Sequence, residues 1–295
     1  MLEFGDGSQS VEVFKHSATV NIGTTNLPNI VFGLICGSLP PPKQKSPNAI
    51  LGLGVGVNDD YPSLPKQLLV GFLKLIEKNI FALYLKPKSP GSLIRKGELL
   101  LGGGDQTLYD GPLEFVPTLS EGPWMVHLRA LQPENGEAIT VAGSTILDTG
   151  SNYIFIPHRK MSETMKSVED ATAEVVGEPF HFEYDRKWGI WKVDCSYREF
   201  LPSLYFILSA SSDDVVLRIT NENYIAETTD HCYLLVMISP VQHWIMPDFM
   251  LVGHYLEFHP DDKKVGIGKL QSKGGCVDLN RSLFNPAGSL FNVHR

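Results

Sequence analysis

Ser144-Thr145-Ile146-Leu147-Asp148-Thr149-Gly150-Ser151-Asn152-Tyr153-Ile154-Phe155-Ile156-Pro157 sets one carboxylate in a tight Thr-Gly-Ser turn between two apolar runs of β type. Gly150 permits a sharp backbone, and the hydroxyls and amides beside it can hold the carboxylate in one orientation. An Asp so placed is a candidate acid or base. Taken alone, the same four letters also describe an Asp that closes a β-turn through an Asx interaction.

On either side of this stretch the chain reads mainly as short strands punctuated by Gly, Pro and Asn. In Trp124-Met125-Val126-His127-Leu128-Arg129-Ala130-Leu131, Val126 and Leu128 fall on one face and His127 and Arg129 on the other, the period-2 pattern of a half-buried strand. Val11-Glu12-Val13-Phe14-Lys15 alternates in the same way after the Gly5-Asp6-Gly7 turn, so residues 2–22 read as a hairpin and its continuation. Helices are few. One is expected from Ser63, with Pro65 in its first turn and Leu68, Leu69, Phe72, Leu73 and Ile76 as an apolar stripe. A second is expected over Arg159–Ala171, with Met161, Met165 and Val168 on one side. Pro40–Pro47 reads as an exposed loop, and residues 271–295 as a loosely held tail. The best boundary on composition is Val116–Pro123, which divides the chain into 1–117, 118–270 and the tail 271–295.

A chain of 295 residues, 43% hydrophobic and 10% aromatic, has ample material for a core and suggests two domains. Its 25 basic and 33 acidic side chains give a net charge of −8, and no Lys/Arg cluster stands out, so a nucleic-acid partner is not expected. The longest apolar run, Cys232–Val241, is far short of the roughly 20 residues of a bilayer helix, so no membrane span is expected, and no signal peptide is legible at Met1. The four cysteines form no C-x-x-C pair, and the nine histidines are scattered without an H-E-x-x-H, so neither a metal nor another cofactor is expected. Gly52-x-Gly54-x-Gly56 lacks dinucleotide-fingerprint spacing, and no G-x-S-x-G nucleophile elbow occurs.

Several stretches in one order together resemble the pepsin-like aspartic proteases (peptidase A1) over about residues 2–270. Ile146–Ser151 is similar to that family's second catalytic loop. Phe4-Gly5-Asp6-Gly7-Ser8 resembles its flap hairpin, Ile50-Leu51-Gly52-Leu53-Gly54 its N-terminal hydrophobic-hydrophobic-Gly element, and Gly102-Gly103-Gly104-Asp105 with Tyr109 and Gly111 the stretch leading to the second lobe. Trp244-Ile245-Met246-Pro247-Asp248, Tyr255–Phe258 and Val265-Gly266-Ile267-Gly268 resemble the closing strands. The resemblance implies a mainly β, bilobal fold with a few short helices, and an N-terminal lobe that is incomplete within these residues.

It further implies an aspartic endopeptidase in which Asp148, supported by Thr149, Gly150 and Ser151, is one of two aspartates sharing a proton. Phe4, Gly5 and Asp6 would cover an extended peptide substrate, and Ile50, Ile146 and Ile245 would line apolar pockets, although each isoleucine taken singly reads as core packing. Cys195 and Cys232 resemble the C-lobe disulfide, contributing roughly 3–4 kcal/mol by loop entropy. Cys36 and Cys276 can pair or stay free. No second D-[TS]-G occurs in the 295 residues, so the chain by itself is expected to be inactive. Phe4 stands where a flap Tyr is usual, and Pro247 where a glycine is usual, which is expected to distort the loop bracing Asp148. The alternative is a non-catalytic peptide- or protein-binding member of the same fold. A homodimer joining two copies of Asp148 is not expected, because each chain also carries much of an N-terminal lobe. A secreted or vacuolar/lysosomal location is expected by resemblance alone.

Overall fold

The computed structural model describes residues 2–3, 10–22, 25–39, 50–55, 60–70, 74–88, 95–119, 122–210, 213–228, 231–271 and 290–292. They divide into two compact units, one of Met1–Gly111, Glu121–Pro123 and Tyr255–Arg295, the other of Pro112–Ser120 and Trp124–His254. Strands dominate both.

The second unit is built on a seven-stranded sheet whose order is Val215–Ile219, Leu204–Leu208, Met125–Pro133, Ile139–Leu147, Trp244–Met246, Ile154–Pro157 and Val236–Ser239. The alternation seen in the sequence is realised, since Val126 and Leu128 are fully buried while Arg129 is exposed. Antiparallel pairing of Met125–Pro133 with its neighbour Ile139–Leu147 sets Ile146 opposite Met125 and Ser144 opposite His127. Pro157 leads into the helix His158–Val176, longer at both ends than its apolar stripe suggests, which buries Met161, Met165 and Val168 as expected together with Thr164, Ala171 and Thr172. That helix stops at Gly177, whose φ of 81° is reached without a Cβ penalty and whose N–H bonds to the Ala173 carbonyl. A smaller four-stranded sheet, in the order Glu183–Asp185, Ile190–Val193, Cys232–Leu234, Ile225–Glu227, carries the disulfide between Cys195 and Cys232.

The first unit contains a long ribbon of Ser10–Ile22 paired antiparallel with Thr25–Leu39, and Leu2–Glu3 adds antiparallel to Ser10–Val11 as the hairpin reading required. The second arm of the ribbon is not legible in the sequence, because Pro28, Gly33 and Gly37 weaken any strand signal. One outward-facing residue of that arm is held by a side chain: the Gln67 amide accepts from the Val31 N–H at 2.8 Å and donates to the Val31 carbonyl at 2.9 Å. Gln67 lies on the helix Leu64–Val70, which buries Leu64, Pro65 and Leu68. This helix has Pro65 in its first turn as expected but is shorter than predicted; Ile76 is buried from a non-helical stretch after it, and Phe72 and Leu73 lie outside the described residues. The other sheet of this unit includes Gly97–Leu101, Phe81–Leu85, His254–His259 and Lys264–Leu270. Tyr255–Phe258 pairs with Phe81–Tyr84, and Phe258 stacks on Phe81 at 4.7 Å between ring centroids. Strand pairing thus draws Tyr255–Leu270 to the unit that holds residues 81–101. Leu290–Asn292, within the stretch read as a tail, pairs with Glu98–Leu100.

Candidate active site

The Asp148 turn is held between strands. Ile139–Leu147 runs into it and Ile154–Pro157 leaves it, and Trp244–Met246 lies between them, parallel to Thr145–Leu147 and bridged antiparallel to Phe155 through Ile245. Three backbone bonds fix the turn to its surroundings and a fourth closes the turn on itself. The Leu147 N–H donates to the Trp124 carbonyl at 2.8 Å, the Asp148 N–H to Met246 at 2.9 Å, the Ser151 N–H to Asp148 at 3.1 Å, and the Asp248 N–H to Ser151 at 3.3 Å. The braces therefore use the N–H groups of 148 and 248 but not of 247. Pro247, expected to distort the loop, sits at φ −81° and gives its carbonyl to the Met250 N–H at 3.0 Å, so its missing donor leaves the bracing intact.

Within the turn, Oδ1 of Asp148 accepts from the Gly150 N–H at 2.9 Å, the Asx interaction that fixes the carboxylate's direction. A Cβ on Gly150 would stand 3.1 Å from the same oxygen, so the close approach favours glycine. Ser151 closes the other side, with its Oγ donating to the Tyr153 carbonyl at 3.1 Å. Asp148 is exposed while the strand beneath it is buried, Leu147 at 4% and Ile154 at 1%. The result is a solvent-facing carboxylate on a rigid base, the arrangement that proton transfer to or from a bound water requires.

The expected site residues divide into groups. Asp148, Thr149, Gly150 and Ser151 share the turn, and Ile146 and Ile245 are Cα partners on adjacent strands beneath it, Ile146 half-buried and Ile245 at 6% exposure. Ile50 belongs to the first unit and is 62% exposed. Phe4, Gly5 and Asp6 lie outside the described residues, as does Cys276, while Cys36 is exposed and in no disulfide among the described residues. Sequence reasoning missed Trp124 and Met246 as braces, because their carbonyls do that work and a side-chain pattern carries no sign of it. It also missed Ser144 and His243, which meet at 2.7 Å between Oγ and Nδ1 although 99 residues apart. Among the described residues no group of three or more His, Cys, Asp or Glu side chains could hold a metal ion, and no helix is long and apolar enough to cross a membrane.

Residues 1–270 match the family described as eukaryotic aspartyl protease. The chain belongs to that family. It is 30% identical to mouse napsin-A over 243 residues, which is 77% of this chain and 53% of that protein. With mouse cathepsin D the identity is 25% over 229 residues, 75% of this chain and 52% of that protein. The chain thus spans about half the length of the curated relatives it matches. A solved structure, the aspartic proteinase from Irpex lacteus, superposes with a TM-score of 0.66 at 20% identity, covering 90% of this chain and 79% of that one, which bears on the fold alone. Membership of the aspartic endopeptidase family and a pepsin-like, mainly β fold are thereby shown for this chain.

Proposed function

We propose that Asp148 is one carboxylate of a pair that hydrolyses peptide bonds in acid. The observation that carries this reading is the exposed Asp148 carboxylate, fixed by the Gly150 amide at the end of a strand frame. Two carboxylates brought close cannot both ionise, so one keeps a proton. The charged one takes a proton from water as the water oxygen attacks the peptide carbonyl, and the neutral one gives its proton to the carbonyl oxygen. The C–N bond then breaks as the carboxyl that took water's proton gives it to the leaving amine and the other carboxylate takes back a hydroxyl proton from the carbon under attack. Residues 118–254 act in this reading as the C-terminal lobe and 1–117 as the N-terminal lobe with the flap, while Tyr255–Leu270 joins the sheet of residues 81–101 rather than closing the C-terminal lobe. Phe4, Gly5 and Asp6 cover an extended peptide while Ile50, Ile146 and Ile245 receive apolar side chains. The disulfide fits a secreted or lysosomal setting, where disulfides persist.

The 295 residues contain a single D-[TS]-G, so on their own they are expected to cleave nothing. That same count favours the second reading, a non-catalytic protein that binds peptides on this fold, since a fold does not settle an activity. Hydrolysis of internally quenched peptides at acid pH separates the two, measured on the protein as its source makes it and on Asp148→Asn. A fall of about 10³-fold or more supports the protease reading. Absence of cleavage by the unmodified protein, with peptide binding unchanged in Asp148→Asn, establishes the second.

A further inference from the structure

The hairpin of Glu183–Asp185 and Ile190–Val193 ends in a turn, Asp185-Arg186-Lys187-Trp188-Gly189, whose side chains the aspartyl protease reading does not use. Trp188 is 64% exposed, the most open tryptophan of the described chain, and Tyr184, whose ring lies tilted against Trp191 at 4.7 Å between centroids, is 38% exposed. An indole combines a large apolar face with an N–H donor, which suits it to a surface that is apolar at one end and wet at the other.

The charge pattern of the turn is lopsided. The Asp185 carboxylate is tied inward: Oδ1 accepts from the N–H groups of Lys187 at 2.9 Å and Trp188 at 3.3 Å, and Oδ2 pairs with the Lys192 ammonium at 2.6 Å. The Lys192 contact, followed by those turn amides, holds its pKa below the ordinary carboxylate range. Arg186 and Lys187 are both exposed and make no ion pair among the described residues. The Lys187 ammonium rests 5.1 Å from the Trp188 ring centroid. Two uncompensated cations and an indole therefore share one turn on a chain whose net charge is −8. The presentation is rigid, because Val193 pairs with Cys232 and Cys232 is disulfide-bonded to Cys195 at the hairpin's base.

We propose that this turn seats on the headgroup layer of an anionic lipid bilayer, with Trp188 in the interface and Arg186 and Lys187 on lipid phosphates. Indoles concentrate at the membrane–water interface, and each added cation near an anionic leaflet strengthens binding about fivefold. A nucleic acid or sulfated polymer draws on a long row of cations, whereas two cations beside an exposed indole match a planar layer that offers both charge and an apolar depth. The acidic remainder of the chain is repelled by the same surface, which leaves the turn as the part that approaches.

Flotation of the 295-residue protein with phosphatidylcholine vesicles, and with vesicles containing phosphatidylserine, tests the proposal at low salt and again at 0.5 M salt, roughly the range over which the Debye length falls below 5 Å. The protein should float with the phosphatidylserine vesicles, and less so at high salt. Trp188→Ala and the double variant Arg186→Glu/Lys187→Glu should each reduce flotation, the latter at least tenfold, with unchanged circular dichroism. Trp188→Phe should remove a blue shift of the indole fluorescence on vesicle addition. Equal flotation of the protein and its variants overturns the proposal, since other apolar surface would then explain it. Binding to heparin but not to vesicles overturns the lipid assignment.

Discussion

Trp244–Met246 in the second unit and residues 50–55 in the first are alike in sequence, apolar residues running into a turn, and differ in what surrounds them. The former is a strand between two others, with Trp244, Ile245 and Met246 exposed by 2%, 6% and 0%. In the latter Ile50 and Leu51 are 62% and 51% exposed and form no strand. Leu53, Gly54 and Val55 line a cavity of about 220 Å³ with Pro65, Leu69 and Phe81, whereas the void against Trp244, Ile154 and Met165 is only about 10 Å³. An apolar run becomes a strand when strands flank it; its own β-propensity is a weak term beside the packing of both faces. The same contrast explains why the Asp148 turn is braced so well, since its frame is the one with three strands.

The largest test of the contrast is truncation. Trp244→Ala should cost about 3–5 kcal/mol in urea unfolding, while Leu51→Ala should stay within about 0.5 kcal/mol. Comparable losses at the two positions would break the comparison. Amide hydrogen exchange should agree, with residues 139–157 and 244–246 protected more strongly than residues 10–39 and 50–55. Next in size, removing both Cys195 and Cys232 should cost roughly 3–4 kcal/mol, because the bridge closes a loop of 37 residues. The loss should appear in the second unit's transition, and the difference between the two proteins should vanish under reducing conditions, where the unmodified protein loses the same bridge.

A smaller effect depends on pH. His254 donates from Nδ1 to the Met250 carbonyl at 2.9 Å and accepts at Nε2 from the Arg218 N–H at 3.3 Å, so the neutral ring fits and a second ring proton does not. Burial pushes its pKa below the ordinary 6.5. Below that pH the unfolded chain binds a proton that the folded chain refuses, so stability falls as pH falls, by at most about 1.4 kcal/mol per pH unit until the folded value is reached. His254→Gln should flatten this slope in melts between pH 7.5 and 5. The smallest change is a gain: the Thr145 Oγ is fully buried without a hydrogen-bond partner among the described residues, so Thr145→Val should stabilise by about 1 kcal/mol in the same melts.

What the sequence made legible follows from locality. The strand at Met125–Pro133 shows in the alternation of Val126 and Leu128, the long helix in Met161, Met165 and Val168, and the turn at Asp148 in its glycine, all properties of neighbours along the chain. The ribbon arm Thr25–Leu39 was hidden because Pro28, Asn29 at φ 59° and two glycines argue against a strand, and only pairing with Ser10–Ile22 overrides them. The disulfide came through family resemblance. The backbone braces from Trp124 and Met246 had no local sign at all, since every residue has a carbonyl and only tertiary structure decides which one is used.

The Gln67 amide on Val31 has a further consequence for how the ribbon finds its alignment. Along a strand, successive residues turn their N–H and C=O to opposite edges. Sliding Thr25–Leu39 by one position would face Gln67 with a residue whose donor and acceptor point the other way, and both bonds to Val31 would be lost at once. A slide by two would restore the bonds but move Leu27, buried at 3%, out of its place. The glutamine therefore serves the ribbon as an index mark: one primary amide imitates a missing peptide group and tells a thirteen-residue strand and its partner which of many near-equivalent alignments is the native one.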